Sequence, residues 1–464
     1  MNPTTDAFLR DIWIQAGGDS AAIPHVEAFG DGCLPSVFAV TDLAAASIAA
    51  AGLALGELLS TAHGGDCRIR VDRRLGSLWF GSSLRPMGWS VPPPWDSIAG
   101  DYRAGDGWIR LHTNAPHHKA AALAVLDAPE QREAVARAVA GWSASSLEEA
   151  VVARGGCAAE MRSLDAWRAH DQGRAVEAEP LFHRRRLASS PSTAWVPDRD
   201  RPLRGIRVLD LTRVLAGPIA TRCLAGWGAD VLRIDPPGWD EPGVVPDVTL
   251  GKRCARLDLR ERGHREQFER LLAEADILVH GYRPGALDRL GLDAERRQTL
   301  RPGLIDVSLD AYGWTGPWAR RRGFDSLVQM SAGIADQGMR QGGRDRPTPL
   351  PVQALDHATG YLLAAVAVRG LTERFRDGAG VEARTSLARV AALLTSVSAT
   401  AGDRMADETP ADGSDSIEYT EWGPARRLHP PLTVGGIAQR WDRPATSLGS
   451  SPPVWLAPSV VSHK

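Results

Sequence analysis

A lone carboxylate stands where a proline-stiffened segment gives way to an apolar run: Pro347-Thr-Pro-Leu-Pro-Val-Gln-Ala-Leu-Asp356-His-Ala-Thr-Gly360. The alanine and leucine that follow predict a helix over 359–372, with Gly370 and Gly378 as stopping places. An aspartate at a helix start has two readings. It caps the first free N–H groups, or it is a nucleophile whose ionised form the helix N-terminus favours. Local sequence leaves both open. A second stretch repeats the order of features. Leu34-Pro35 leads to Asp42, an alanine-rich helix and Leu75, as Leu350-Pro351 leads to Asp356, a helix and Leu387. From aspartate to leucine is 33 residues in one and 31 in the other, which suggests a partial duplication.

Composition bounds the partners. The 464 residues are 43% apolar and 24% charged, as in a globular protein of two or three domains. Fifty-four basic residues against 56 acidic ones give a net charge of -2 and no electrostatic case for nucleic acid or an anionic membrane. Arg184-Arg185-Arg186 and Arg320-Arg321-Arg322 could still hold a phosphorylated small molecule. The five cysteines (Cys33, Cys67, Cys157, Cys223, Cys254) lack CxxC spacing, so neither a disulfide framework nor a structural metal is expected. Met1-Asn-Pro-Thr-Thr-Asp6 has neither the basic region nor the apolar stretch of a leader. Residues 43–59 read as a buried helix rather than a membrane span, because Gly52, Gly56 and Glu57 interrupt them. The expected compartment is the cytoplasm.

The elements that must position these residues follow in order. Residues 7–16 predict an amphipathic helix and 67–71 a strand. Residues 83–105, rich in proline and tryptophan, read as a crossing linker. A strand at 107–111 and helices at 119–126, 131–142 and from Ser145, with Glu148 at capping-box spacing, form a small α+β unit. From Gly205, strands at 206–209, 231–234, 254–259, 277–279 and 304–309 alternate with helices, one opened by Pro218 and one over 265–274. That alternation predicts a parallel sheet covered on both faces. No G-x-G-x-x-G follows the first strand, so an ordinary dinucleotide site is not supported. The expected fold class is α/β, with a Rossmann-like parallel-sheet domain plus a smaller α+β domain. The expected division is a partial repeat of the aspartate-helix unit over 1–85, the small α+β domain over 86–188, a linker over 189–202, the Rossmann-like domain over 203–395, and a tail over 396–464 that returns to the core.

An ordered set of stretches runs through 202–390. It comprises Pro202-Leu-Arg-Gly-Ile-Arg-Val-Leu-Asp-Leu-Thr-Arg-Val-Leu-Ala-Gly-Pro218, Gly228-Ala-Asp-Val-Leu-Arg-Ile234, and Gly251-Lys-Arg253 with Leu257-Asp-Leu259. Tyr282-Arg-Pro-Gly-Ala-Leu-Asp-Arg-Leu-Gly291, Gly313-Trp-Thr-Gly-Pro317 and Gly323-Phe-Asp-Ser-Leu327 follow. In this order the set resembles the family III CoA-transferases. The resemblance implies a Rossmann-like domain, a small α+β domain and a homodimer, often of interlinked chains. The order of parts is atypical here. Asp106-Gly-Trp-Ile-Arg-Leu111 and Gly155-Gly-Cys-Ala-Ala-Glu-Met-Arg-Ser163 resemble the family's small domain yet precede residue 202, and Gly423-Pro-Ala-Arg-Arg-Leu-His-Pro-Pro431 resembles its closing segment.

By the same resemblance, Asp356 matches the family's nucleophile, which carries CoA as a thioester between an acyl-CoA and a carboxylic acid. Asp42 echoes that position as a second nucleophile, a relic cap or an unrelated residue, and its local Ala39-Val-Thr41 favours the relic. The CoA contacts carried over are Arg213, Leu215 and Ala216 after the first strand, then Lys252, Arg253, Tyr282, Arg283, Arg289 and Arg322. Arginine and lysine suit phosphates, and tyrosine suits a stacked adenine. Gly281 stands where the family has asparagine, and Asp235-Pro-Pro237 lacks a basic residue some members place there. Racemase members carry a histidine where this chain has Phe324, so proton transfer at an α-carbon lacks one partner. The expected function is CoA transfer, with an acyl-CoA racemase or isomerase and a non-catalytic CoA-binding homologue as alternatives. Coenzyme A enters as a co-substrate, with no tightly bound cofactor and no metal expected.

Overall fold

The computed structural model describes residues 1–189, 195–398 and 402–456. Residues 190–194 of the expected linker, and 399–401 and 457–464 of the expected tail, lie outside the described residues.

Seven strands form the central sheet, in the order Lys252–Arg256, Asp230–Asp235, Arg207–Leu211, Ile277–His280, Ile305–Asp310, Ala379–Ser386 and His183–Ser189. The first six run parallel, and His183–Ser189 closes one edge antiparallel to Ala379–Ser386. Every residue of Ile277–His280 is buried, as expected of a strand with both faces covered. The third strand in sequence, expected at 254–259, spans Lys252–Arg256, and the Leu257 N–H makes the last bond to the neighbouring strand, on the Asp235 carbonyl (3.0 Å). From Arg207–Leu211 the chain winds outward for two strands, then returns to add Ile277–His280 on the other side. The order reverses between those two strands, and open α/β sheets hold ligands beyond the carboxyl ends of the strands at such a reversal.

The aspartate helix runs from Ala354 to Asp377, five residues earlier at its start than the sequence suggests. Asp356 is therefore its third residue and not its cap. Gln353 holds the capping position and makes no side-chain cap bond. Gly370 lies buried within the helix, which ends instead at Gly378 with φ 75°. The helix Val40–His63 has the same length, 24 residues, and Asp42 is again the third of them. The two helices pack on one another in the main apolar core, where alanines such as Ala46, Ala50, Ala364 and Ala367 are fully buried. By length and composition Val40–His63 could cross a membrane, but 89% of its most apolar window is buried inside the protein, so it is a core helix.

The unit after residue 95 has its own core, built on Ile98, Tyr102, Ile109, Leu111, Val135 and Leu147. Three antiparallel strands, Gly100–Arg103, Trp108–Leu111 and Ala158–Glu160, carry the helices Pro116–Leu126, Arg132–Val139 and Ala144–Ala153. The expected capping box is not formed. Ser143 is the cap, accepting from the Ser146 N–H, while Glu148 is buried and pairs with Arg162 (2.6 Å) and Arg321 (2.8 Å). That pairing ties the small unit to the loop ahead of Gly323. Within the expected linker 83–105, Leu84–Pro86 is a strand paired with Gly423–Leu428, and Leu432–Val434 pairs with Ile69–Asp72.

Candidate active site

A cavity of about 330 Å³ opens at the reversal of the sheet. Its walls are the segments that follow the strands: Leu211 to Val214, Gly281 to Pro284, Leu309 to Ala311, and Leu387. Arg321 to Phe324 and His117-His118 of the small unit complete it, and Asp356 lines it from the helix start.

The Asp356 carboxyl is 7% exposed and receives the backbone N–H of Ala216. Two glycines permit that approach. A Cβ at Gly360, one turn along the helix, would come within 2.6 Å of the Ala216 carbonyl oxygen, and one at Gly217 within 2.2 Å of Thr212 Cγ2. The loop between is strained. Val214 holds φ 63°, a conformation β-branched residues rarely adopt. Its N–H donates to Glu241 Oε1 (2.8 Å), which helps to hold it there. Strain of this kind concentrates where a loop must present its backbone to a ligand.

Asp325 braces the entry to the helix from the other side. Its Oδ2 accepts the Asp356 backbone N–H (2.9 Å), and its carboxylate also takes the Gln329 amide and the Leu355 N–H. Gln329 in turn accepts from the Leu350 N–H (2.7 Å), fixing the extended segment before the helix. Burial pushes both carboxyls above the ordinary range, and the Asp325 charge raises Asp356 further. The pair shares its protons unequally for a physical reason. Asp325 has three donors and Asp356 one, so the first negative charge settles on Asp325 and the proton stays on Asp356.

The cationic rim is narrower than the sequence suggests. Arg213, Tyr282, Arg283 and Arg322 line the cavity, as does Ala216. The Arg213 guanidinium lies over the rings of Trp239 (4.4 Å) and Tyr282 (5.3 Å), and Arg322 donates to the Gly155 carbonyl of the small unit (2.8 Å). Lys252 and Arg253 do not reach the cavity. Lys252 is fully buried beneath the loop, with its ammonium on Asp210 (3.0 Å) and the Pro218 carbonyl (2.8 Å). Arg253 makes two bonds of 2.9 Å to Asp230 and donates to the Val454 carbonyl. Leu215 is half-buried against the apolar core, and Arg289 is exposed on the turn Asp288–Leu290, outside the cavity wall.

Sequence reasoning passed over several residues of the wall. Trp239 sits in an irregular loop with no pattern. Asp310 ends its strand, and burial pushes its carboxyl well above the ordinary range. His117 and His118 belong to another unit, and only their adjacency was visible. Asp42, the echo, sits at a different kind of site. Its Oδ1 accepts from Asn2 Nδ2 (2.8 Å), Thr5 Oγ1 (2.7 Å) and Arg73 Nη2 (2.7 Å). Arg73 opens the helix Arg73–Trp79, and it lies 31 residues after Asp42. Leu387 opens the helix Leu387–Ser396, and it lies 31 residues after Asp356. The counterpart of Leu387 is thus Arg73 and not Leu75, which moves the sequence pairing by two residues. Among the described residues, no group of three or more histidine, cysteine or acidic side chains could hold a metal ion.

Known proteins resemble parts of the chain. The model of CoA-transferase family III matches residues 203–424. A probable fatty acyl-CoA transferase of Mycobacterium tuberculosis is 34% identical over 192 residues, covering 38% of this chain and 48% of that protein. Mouse succinyl-CoA:glutarate CoA-transferase is 33% identical over 198 residues, covering 40% and 45%. The formyl-CoA:oxalate CoA-transferase of Escherichia coli is 32% identical over 200 residues, covering 40% and 47%. The chain spans about half the length of these curated relatives. Residues 203–424, which hold the reversed sheet, the glycine-backed loop and the aspartate helix, are thus similar to CoA-transferase family III.

Proposed function

We propose that the chain moves CoA from an acyl-CoA to a carboxylic acid through a thioester on Asp356. The observation that carries this reading is the meeting of three things in one cavity: a buried aspartate in the first turn of a helix, a backbone N–H aimed at its carboxyl, and a rim of arginines with an aromatic ring. In the first step the Asp356 carboxylate adds to the thioester carbonyl, the C–S bond breaks, and CoA leaves as a thiolate. The thiolate then attacks the Asp356 carbonyl of the resulting anhydride and releases the donor acid as a carboxylate. The Ala216 N–H supports the oxyanion formed at that carbon. The acceptor carboxylate runs the two steps in reverse, so no proton is gained or lost overall. Each step is easier than direct exchange between two carboxylates.

Arg213, Arg283 and Arg322 would hold the CoA phosphates, and Tyr282 the adenine. Phe324 supports transfer over racemisation, because it lines the wall with a side chain that carries no exchangeable proton. The order of units reads as the later part of one family copy fused ahead of the early part of another. The test is intact-protein mass after mixing with a panel of acyl-CoAs. The expected adduct is one CoA less one water per chain, absent in Asp356→Asn and Asp356→Ala. An Asp356→Ala chain that still exchanges CoA at the wild-type rate would sink the reading.

A further inference from the structure

The small unit brings an unassigned pair of histidines to the cavity. His117 and His118 are the second and third residues of the helix Pro116–Leu126, and Ala115 in the capping position offers no side-chain acceptor. His118 is 3% exposed, and neither ring nitrogen has a hydrogen-bond partner in the protein. A buried polar group without a partner is costly, and at a cavity wall its partner is a water or a ligand. His117 is exposed and lies against His118, with ring centroids 4.1 Å apart. The charged groups that act on His117 all carry the same sign: Arg322, Arg213 and Arg283. Those acting on His118 are His117, Arg322 and Arg283. Burial and then these cations push both imidazoles down, His118 to about 3. A helix start, two imidazoles and three guanidiniums thus face one space, which Asp310 and Asp356 also line with carboxyls that burial pushes toward the neutral form.

We propose that His117 and His118 are the small unit's anion-binding wall, contacting a phosphate of CoA and taking up a proton on His117 as it binds. The inference rests on the CoA-transfer reading. A bound phosphate neutralises the arginines that suppress His117 and adds a negative charge beside it, so its proton affinity rises on binding. Between the free and bound pKa values the complex holds more protons than the free protein, and CoA binds more tightly as pH falls through that window. His118 supplies a neutral N–H to the same anion.

Calorimetric titration of the whole protein with CoA, in two buffers of different ionisation enthalpy at pH 6, counts the protons. The wild type is expected to take up more protons than His117→Gln. Its Kd should tighten about fivefold more than the variant's between pH 7.5 and 5.5. Subtracting the variant removes contributions from Asp356, Asp325 and the phosphates themselves. His118→Gln should weaken CoA binding, and pantetheine, which has no phosphate, should show no wild-type excess. Equal proton counts in wild type and His117→Gln, with CoA bound, would overturn this inference alone. A wild-type chain that does not bind CoA would overturn the CoA-transfer reading, and this inference with it.

Discussion

Asp325→Asn isolates the electrostatic tuning of the proposed nucleophile. The substitution keeps the side chain's size and one acceptor oxygen, but it removes the negative charge that raises Asp356. Two unit charges about 6 Å apart at an effective dielectric near 20 repel by about 3 kcal/mol. One pKa unit corresponds to about 1.4 kcal/mol. A repulsion of that order exceeds what one pKa unit represents, so the loss of the charge is measurable. Removing a negative neighbour favours the ionised form of Asp356, so its pKa must fall. If transfer needs that carboxylate, activity is present above the Asp356 pKa and lost as pH falls through it. The acid limb should therefore move to lower pH in the variant.

The assay is the initial rate of aspartyl-CoA formation, followed by intact mass from pH 4 to 8 with a fixed acyl-CoA. The position of the limb is the readout, not its height. Asn at 325 also loosens the brace on the helix entry and lowers the plateau rate. An acid limb that stays in place, or moves to higher pH, would refute the assignment of the first charge to Asp325.

Gly360→Ala drives a Cβ toward the Ala216 carbonyl at 2.6 Å, against backbone that cannot turn aside. It should cost about 1 to 3 kcal/mol in chemical denaturation and slow adduct formation; a wild-type midpoint and rate would contradict it. Lys252→Met strands Asp210 in the interior and should cost about 3 to 5 kcal/mol, while the folded fraction binds CoA as the wild type does. Weaker CoA binding by a fully folded Lys252→Met chain would return Lys252 to the ligand's neighbourhood. Arg73→Leu places at position 73 the residue found at 387. It should lower the melting temperature through the loss of a buried pair, with the adduct still one CoA per chain. Two adducts would make Asp42 a working nucleophile.

The alternation of strands and helices after residue 205 was legible because a buried parallel sheet writes apolar runs at regular intervals, and Ile277–His280 is such a run. Element limits were less legible. Leu257 and Leu259 look like a continuing strand, yet they are buried in a second apolar cluster with Phe268 and Leu272, outside the ladder. Residue type alone also put three cations, Lys252, Arg253 and Arg289, at a cavity they do not line. Nothing near Lys252 in the chain announces Asp210, 42 positions away, so a buried ion-pair partner and a phosphate ligand read alike. His117 and His118 met the opposite fate. Their approach to Arg322 depends on how the small unit docks, through Arg321 to Glu148 and Arg322 to the Gly155 carbonyl, and docking leaves no local pattern.

The chain carries two aspartates in the same local geometry, and their surroundings favour one of them as the proposed nucleophile. The capping residues Ala39 (φ −78°, ψ 56°) and Gln353 (φ −74°, ψ 64°) have nearly the same backbone, and both aspartates are third in helices of 24 residues. Backbone and helix start therefore do not distinguish them. Both aspartates line a cavity. What differs is the residue 31 positions on. At Leu387 the residue is apolar, and the Asp356 carboxyl keeps a single N–H donor. At Arg73 it is a guanidinium, and one Asp42 oxygen is already engaged by three donors. A carboxylate in a 2.7 Å charge pair is a poor nucleophile, since attack must first give up that bond. Among the described residues, the sheet beside the Asp42 unit consists of Val26–Phe29 parallel to Ile69–Asp72 with the tail strands beyond. The Asp42 helix thus serves packing against the other helix, which leaves Asp356 as the proposed nucleophile.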